Sequence, residues 1–236
     1  MMRLHVGTSL ERPPHKGYTN HLRFAELTPR SPRPRPATLA RWARDLPEGF
    51  STSLVLPLDV CAGDKGWLAL GDDEDATFAW IEAATLALKP SAVIVTTGRE
   101  LTTGKRDRDR LTHYFGRLKT PGAARVWAPA GLWEGATLYR MAERLEVMAS
   151  VDPLSAAPPP ARALYAQVRG LGERSRLGEG LLLDLLDRMD ATGAEEAWVS
   201  FSAKGAHRQA RRLLELAEIE GLIPAKVDAE EILDET

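Results

Sequence analysis

Two carboxylates and one arginine are the residues whose positions best suit them to chemistry. Glu26 lies among apolar neighbours in LRFAEL, Asp152 directly precedes Pro153, and Arg169 follows the apolar run ALYAQV. A carboxylate among apolar residues must be paired or protonated, which makes Glu26 a candidate catalytic acid or base. Asp152 is a second candidate because it lies at the carboxyl end of a predicted strand. Each residue also has a structural interpretation, namely an ion pair between Glu26 and Arg169, and a turn in which Asp152 accepts a backbone N–H.

Arg169 differs from the two acids in what it can do. A guanidinium stays charged and offers a planar fork of donors to a carboxylate or phosphate, but it cannot shuttle protons near neutral pH. Anion binding and structural pairing are therefore the two interpretations of this residue. The further candidates for ligand contact are polar or aromatic side chains near predicted strand ends: Thr8, Ser9, Arg30, Trp133 and Ser202.

A basic, proline-stiffened loop, TPRSPRPRP, contains Arg30, Arg33 and Arg35. One interpretation is contact with phosphate groups or nucleic acid. The other is a solvated, extended loop, which is the usual state of charge runs in proline-rich stretches. The loop has no aromatic residue on which a base could stack, and this favours the solvated loop.

Other site classes lack the residues they need. The five histidines show no metal-ligand spacing with Cys61 or with acids, and no Gly-x-Ser-x-Gly motif is present to anchor a serine hydrolase triad. No glycine-rich phosphate loop follows a predicted strand. We therefore expect neither a metal nor a cofactor.

The elements that must position these residues alternate between short β-like runs and amphipathic helical runs. The predicted strands are 3–9, 22–27, 52–58, 92–97, 124–128, 147–152, 163–170 and 197–202. Between them, apolar residues recur at i, i+3, i+4 and i+7, as in the helical stripes that begin at Leu39, Ile81, Leu111, Leu138, Leu182 and Ala210. Eight strands alternating with helices predict an α/β fold, a compact (β/α)8 TIM barrel, over an open doubly wound sheet.

Two connections break the pattern. Residues 10–20 carry two prolines and residues 153–162 carry four, so neither predicts a helix, and the helices after strands one and six should be reduced to loops. We predict one domain over residues 1–224 and an acidic C-terminal tail over residues 225–236.

The composition sets broad limits on partners and location. The chain of 236 residues has 31 Lys and Arg against 33 Asp and Glu, so no global field favours nucleic acid or an anionic membrane. The single Cys61 excludes an internal disulfide and suits a reducing cytoplasm. No apolar run is long enough to span a bilayer or to form a signal peptide core. The bias to Arg, Ala and Leu suggests a GC-rich bacterial genome.

From about Leu4 to Leu216, the chain resembles the YecE-like family, known as domain of unknown function 72, whose members are TIM barrels. The matching segments are His5–Ser9, Phe24–Leu27, Pro36–Ala43, Pro47–Phe50, RVWAPAGLW, Val151–Pro153, Tyr165–Gly170, Phe201 and Gln209–Leu213. The resemblance implies a TIM barrel with its site at the carboxyl ends of the strands.

The chain departs from the family where the family carries charge. The Glu and Arg that the resemblance implies on strand five fall on Ala128 and Ala130, and the Arg and His on strand seven fall on Gln167 and Arg169. An Asn after strand eight falls on Ala203, and a Thr-Phe-Tyr run after strand two falls on residues 30–32.

These losses favour a non-catalytic barrel that binds an anionic small molecule or a protein partner. One alternative is a hydrolase, or an enzyme of a phosphorylated substrate, that uses carboxylates at the barrel mouth. A second alternative is nucleic-acid binding through the arginines of residues 30–35. The role of the family is itself unsettled, so the resemblance implies a fold and a pocket location but no reaction.

Overall fold

Ten strands and eight α-helices are described by a computed structural model of the chain, over residues 2–169, 177–203 and 205–224. In chain order the strands are β1 (Arg3–Leu10), β2 (Phe24–Leu27), β3 (Ser51–Val55), β4 (Ala62–Gly63), β5 (Gly66–Trp67), β6 (Ala92–Thr97), β7 (Ala124–Pro129), β8 (Met148–Val151), β9 (Ala163–Val168) and β10 (Glu196–Phe201). Eight of them close a parallel barrel in the order β1, β2, β3, β6, β7, β8, β9, β10, while β4 and β5 form a separate antiparallel hairpin.

The helices surround the barrel and cover its outer face. They are α1 (Lys16–Thr19), α2 (Pro36–Asp45), α3 (Leu58–Cys61), α4 (Glu74–Leu88), α5 (Lys105–Arg117), α6 (Gly135–Arg144), α7 (Glu179–Asp190) and α8 (Ala206–Ile219). Their apolar stripes bury residues such as Leu39, Leu111 and Leu213 against the outward side chains of the strands. The layer between the strands and the helices is the main hydrophobic core. It stabilises the fold because apolar side chains of both strands and helices are removed from water there.

The predicted (β/α)8 barrel is confirmed, with all eight predicted strands present. After β8 the chain runs through residues 152–162 without a helix, as the four prolines indicate. After β1 there is a single helical turn, α1, where the sequence predicted a loop. The hairpin β4–β5 and the short helix α3 were not predicted, because elements of two to four residues carry no measurable periodicity.

The barrel interior has its own, smaller core. Phe24, Ile94, Val126, Tyr165 and Trp198 pack there, inside the ring of strands, and the imidazole of His5 stacks on Trp198 with ring centroids 5.6 Å apart. Successive strand residues point to opposite faces, so the residue two positions beyond each of these also faces inward, one layer nearer the carboxyl ends. That layer is where the polar residues lie.

Tyr18 of α1 is inserted into the junction between β1 and β2. Its hydroxyl donates to the Phe24 carbonyl at 2.7 Å and accepts from the Thr8 N–H at 2.8 Å. A Cβ at Gly7 would come within 2.0 Å of the Phe24 oxygen and 2.9 Å of the Tyr18 hydroxyl. The approach of the two strands around this hydroxyl therefore requires glycine at position 7.

Across the described residues, the helices include none with the length and apolar character needed to cross a membrane. The predicted acidic tail, residues 225–236, lies outside the described residues.

Candidate functional site

Glu26 is the central residue of a polar layer inside the barrel. It follows Phe24 on the inward face of β2 and is 3% exposed. Its Oε2 accepts two hydrogen bonds, from the Tyr165 hydroxyl at 2.8 Å and from the Gln167 amide at 2.8 Å. The two donors lie on β9 and are both neutral, so the buried carboxylate is held by hydrogen bonds and not by the ion pair with Arg169 that the sequence allowed.

Tyr165 links Glu26 to a third strand. Its hydroxyl also lies 2.6 Å from the Oγ of Ser53, on β3, and both Tyr165 and Ser53 are fully buried. Burial raises the pKa of Tyr165 well above its ordinary value, and the nearby Glu26 carboxylate raises it further. The phenol therefore remains protonated and acts as a donor to Glu26 at any pH near neutrality.

Gln167 connects this interior layer to the barrel mouth. While its amide nitrogen donates to Glu26, its carbonyl oxygen accepts from Ser150 Oγ at 3.0 Å and from Arg169 Nη2 at 3.3 Å. The result is a chain of hydrogen bonds from buried Ser53 to exposed Arg169. A ligand that displaced Arg169 or Ser150 would thus act on the orientation of Gln167 and on the environment of Glu26.

A cavity of about 330 Å³ lies at the carboxyl ends of β7, β8 and β9. We call it the mouth cavity; the residues that line it include Ala128, Ser150, Asp152, Ser155, Gln167 and Arg169. Arg169 is its cation, Asp152 its acid, and two serines and an amide are its neutral polar groups. A cavity with these groups can bind a small, polar, anionic molecule.

Asp152 contributes to the mouth cavity from a turn. Its Oδ1 accepts from the Leu154 N–H at 3.1 Å, and its backbone carbonyl accepts from the Ser155 N–H at 2.9 Å. This is the backbone contact that an Asp-Pro pair favours. One carboxylate oxygen is thus occupied in shaping the segment after β8.

A second cavity, of about 460 Å³, adjoins the first and shares Pro129, Ser150, Asp152 and Ser155 with it. Trp133 lies in its wall and is only 4% exposed. The indole donates to the Leu101 carbonyl at 2.8 Å and packs edge-on against Trp127 with ring centroids 4.9 Å apart. Trp133 therefore forms a fixed wall beside the mouth.

Three of the positions at which the sequence departs from the pattern of the family it resembles, Ala128, Gln167 and Arg169, line the mouth cavity. At Ala128 and Gln167, a neutral side chain stands where the resemblance implies a charged one. Ala130 follows β7 and donates its N–H to the Thr97 carbonyl at 2.9 Å, and Ala203 follows β10. At the carboxyl end of β7, Ala128 contributes a methyl group to the mouth cavity, and a methyl group cannot titrate.

Of the eight predicted site residues, Asp152 and Arg169 line the mouth cavity, whereas Glu26 lies inside the barrel and Trp133 lines the adjoining cavity. The other four lie elsewhere. Thr8 is buried and both its N–H and its hydroxyl contact Tyr18. Ser9 contacts Thr28 through their hydroxyl groups at 3.4 Å, and Arg30 pairs with Glu11 on the surface. Ser202 is exposed just beyond β10, with its N–H on the Val168 carbonyl.

The basic loop before α2 makes intramolecular contacts. Arg33 donates to the Thr77 hydroxyl at 3.1 Å, its guanidinium lies 5.6 Å from the Trp80 ring centroid, and its backbone N–H contacts Asp59 at 3.3 Å. Arg35 is the residue that precedes the first turn of α2. Arg30 and Arg33 are thus engaged with neighbouring side chains, which weakens the interpretation of the loop as a nucleic-acid contact.

Sequence reasoning missed Tyr165, Ser53 and Ser150 as members of the site. Their inward orientation follows from strand alternation once a neighbour such as Phe24 is known to face the interior. The register between strands, which brings Tyr165 to Glu26, had no local signal. Within the described ranges, no group of three or more His, Cys, Asp or Glu residues is placed to hold a metal ion.

Comparison with solved structures finds the same barrel. A DUF72 family protein from Enterococcus faecalis V583 has a TM-score of 0.69 at 14% identity, with 97% of this chain and all of that chain covered. A second crystal structure of a DUF72 family protein from that organism gives 0.67 at 14% identity, covering 94% and 98% of the two chains. One from Thermotoga maritima MSB8 gives 0.65 at 15% identity, covering 92% and 99%.

At these identities the likeness establishes the fold. DUF72 is also the family that the sequence motifs resemble, so motif order and three-dimensional fold agree. No protein-family model matches the sequence, and no curated protein matches it.

Proposed function

We propose that the chain is a divergent YecE-like barrel whose mouth binds a small anionic molecule without transforming it. The observation that carries the proposal is the mouth cavity itself, in which Arg169 stands at one side of a polar wall of Ser150, Ser155 and Gln167. The guanidinium would bind a carboxylate or phosphate of the ligand. The neutral groups would donate hydrogen bonds to the rest of the ligand or accept them from it.

The groups at the mouth suit binding better than catalysis. Ala128 stands where the family resemblance implies a charged residue, Arg169 cannot exchange protons near neutral pH, and one oxygen of Asp152 accepts from the Leu154 N–H. Proton transfer would need a group that can exchange protons within hydrogen-bond reach of the ligand, and Asp152, with one oxygen already engaged, is the candidate for that role in the mouth cavity. The single buried cysteine suits the reducing cytoplasm of a bacterium, where we place the protein.

An enzyme is the second candidate, and one observation supports it. Glu26 is a buried carboxylate that hydrogen bonds join to the mouth cavity through Gln167. A hydrolase or an enzyme of a phosphorylated substrate would use Glu26 as acid or base and Asp152 as its partner. Such a role requires a ligand that reaches below Gln167.

The experiment that tests binding is thermal unfolding against a panel of phosphorylated metabolites and dicarboxylates. A ligand at 100 times its dissociation constant stabilises the folded state by about 2.7 kcal/mol. We expect the stabilisation to disappear in Arg169→Ala and to persist in Arg162→Ala. The control is matched, because Arg162 directly precedes the amino end of β9, opposite the mouth, and among the described residues its guanidinium contacts Glu195 in an exposed ion pair.

The outcomes separate the proposals. A ligand that still stabilises Arg169→Ala would contradict binding at the mouth. A stabilising compound that is also consumed, with consumption abolished by Glu26→Gln while the fold persists, would replace the binding proposal with the enzyme. A silent panel would favour a protein partner, to be tested by capture on the immobilised protein and on its Arg169→Ala variant.

A further inference from the structure

The mouth cavity carries two opposite charges that do not pair with each other. Asp152 lines it from the segment that follows β8, and Arg169 lines it from the position after β9. No ion pair forms between these two side chains. Because they remain apart, one small cavity offers both a positive group for an anion and a negative group for a cation.

Each of the two charged side chains is held by a contact of its own. The Oδ1 of Asp152 accepts from the Leu154 N–H at 3.1 Å, and Nη2 of Arg169 donates to the side-chain oxygen of Gln167 at 3.3 Å. Within the described ranges, Oδ2 of Asp152 accepts no hydrogen bond. A carboxylate oxygen accepts and does not donate, so Oδ2 suits a ligand group that donates, such as an ammonium or a hydroxyl group.

The adjoining cavity, of about 460 Å³, extends the negative side of the site. Asp152 lines this cavity as well, together with Glu134, and none of the described residues that line it is an arginine, a lysine or a histidine. Trp133 and Leu138 give the cavity a buried apolar wall. The charge therefore changes from positive at Arg169 to negative at the two acids, with an apolar surface beside them.

This distribution of charge restricts what the ligand can carry. A ligand that bound Arg169 and had only anionic groups would place negative charge beside the Asp152 carboxylate, and like charges at short range disfavour such a complex. A ligand with an ammonium group next to its carboxylate would satisfy both residues. The volume of the mouth cavity, about 330 Å³, lies at the lower end of the range for small-molecule pockets and suits such a compact pair of groups.

We propose that the anionic ligand of the mouth is an amino acid. Its carboxylate binds Arg169, its ammonium group donates to Oδ2 of Asp152, and its side chain lies against Trp133 and Leu138 in the adjoining cavity. This class of ligand rests on the proposed function, because the carboxylate uses the same anion site at Arg169. Asp152 then selects amino acids over acids of the same shape that lack the amine.

Two pairs of compounds test the ammonium group, because the members of each pair differ by that group alone. They are aspartate with succinate, and leucine with 4-methylpentanoate, each titrated calorimetrically into the whole chain near neutral pH and at equal ionic strength. In at least one pair we expect the amino acid to bind at least about tenfold more tightly than its partner, the effect of one charge-assisted hydrogen bond. No preference for the amino acid in either pair, or no binding of any of these compounds, would overturn the proposal.

Asp152→Asn tests which residue recognises the amine. Asparagine keeps an oxygen that can accept from the Leu154 N–H, so the turn should persist, and thermal unfolding without ligand checks this. We expect the preference for the amino acid to fall by about tenfold, while the compound without the amine binds at least as tightly as it binds the parent protein. Asp187→Asn is the matched control, because Asp187 is an exposed acid on α7 that lines neither cavity, and this variant should keep the preference.

Arg169→Ala distinguishes failure of the amino-acid proposal from failure of anion binding at the mouth. The carboxylate is common to both members of a pair, so this variant should weaken the binding of both by a similar factor. Undiminished binding of both members would refute anion binding at Arg169 itself. Weakened binding of both in Arg169→Ala, with an unchanged preference in Asp152→Asn, would retain the anion site and overturn the assignment of the amine to Asp152.

Discussion

Replacement of Tyr165 by phenylalanine should destabilise the barrel by removing a hydroxyl with two buried partners. The hydroxyl donates to the buried Glu26 carboxylate at 2.8 Å and lies 2.6 Å from the buried Ser53 Oγ. A hydrogen bond to a charged group contributes about 1.5–3 kcal/mol and a neutral one about 0.5–1.5 kcal/mol. We therefore expect Tyr165→Phe to lower the free energy of unfolding by about 3 kcal/mol, measured by urea denaturation.

In a protein of this size that loss corresponds to a fall in melting temperature of roughly 6–12 °C. Tyr139→Phe is the control, since Tyr139 is partly exposed and donates no hydrogen bond among the described residues; its stability should change by less than about 0.5 kcal/mol. A loss below about 1 kcal/mol in Tyr165→Phe would refute the reasoning, because it would mean that the polar layer is not held by this hydroxyl.

A double-mutant cycle with Ser53→Ala measures the coupling directly. Ser53→Ala and Tyr165→Phe both remove the contact between the Ser53 and Tyr165 hydroxyl groups, so their losses of stability should not add. We expect a coupling energy of at least about 0.5 kcal/mol between the two substitutions. Additive losses would show that Ser53 and Tyr165 contribute independently.

Two further perturbations follow from buried groups. Burial raises the pKa of the Cys61 thiol from 9.0 to about 12, so its contribution to stability is complete below pH 9 and falls by about 1.4 kcal/mol per pH unit above it. Cys61→Ala should remove that slope between pH 9 and 10 in denaturant titrations; an unchanged slope would contradict the burial of the thiol. Tyr18→Phe should cost about 2 kcal/mol in urea unfolding, because the Thr8 N–H and the Phe24 carbonyl lose their bridge. If Tyr18→Phe were as stable as the parent protein, the Thr8 N–H and the Phe24 carbonyl would have to find other hydrogen-bond partners, and the bridge would not be needed for stability.

Local pattern was sufficient to predict the elements of the barrel. Strand β6 has the predicted bounds, and the stripes that start at Leu111 and Leu182 lie on helices that bury those residues. Each of these signals comes from a few neighbouring residues, because alternation and helical periodicity are properties of one segment. The hairpin β4–β5 escaped prediction because its strands have two residues each.

The site was predictable only in part, for a physical reason. Glu26 and Tyr165 lie 139 residues apart in sequence, and their contact depends on the register of the closed barrel. Glu26 was identifiable because a carboxylate among apolar residues is unusual, and Asp152 because it lies at a predicted strand end. The neutral donors were not, since Tyr165 and Ser53 have the same sequence surroundings as core residues on other strands.

Strand β8, which no helix follows, has the fewest paired residues of the barrel strands, and we call it the seam of the barrel. β8 pairs over two residues with β7 and over two with β9, whereas β6 and β7 pair over six. All four residues of β8 are partly exposed, and the chain has no helix between β8 and β9. Amide protons of this strand should therefore exchange with deuterium sooner than those of the other barrel strands. The same seam is where new chain ends could be introduced by circular permutation without cutting a helix.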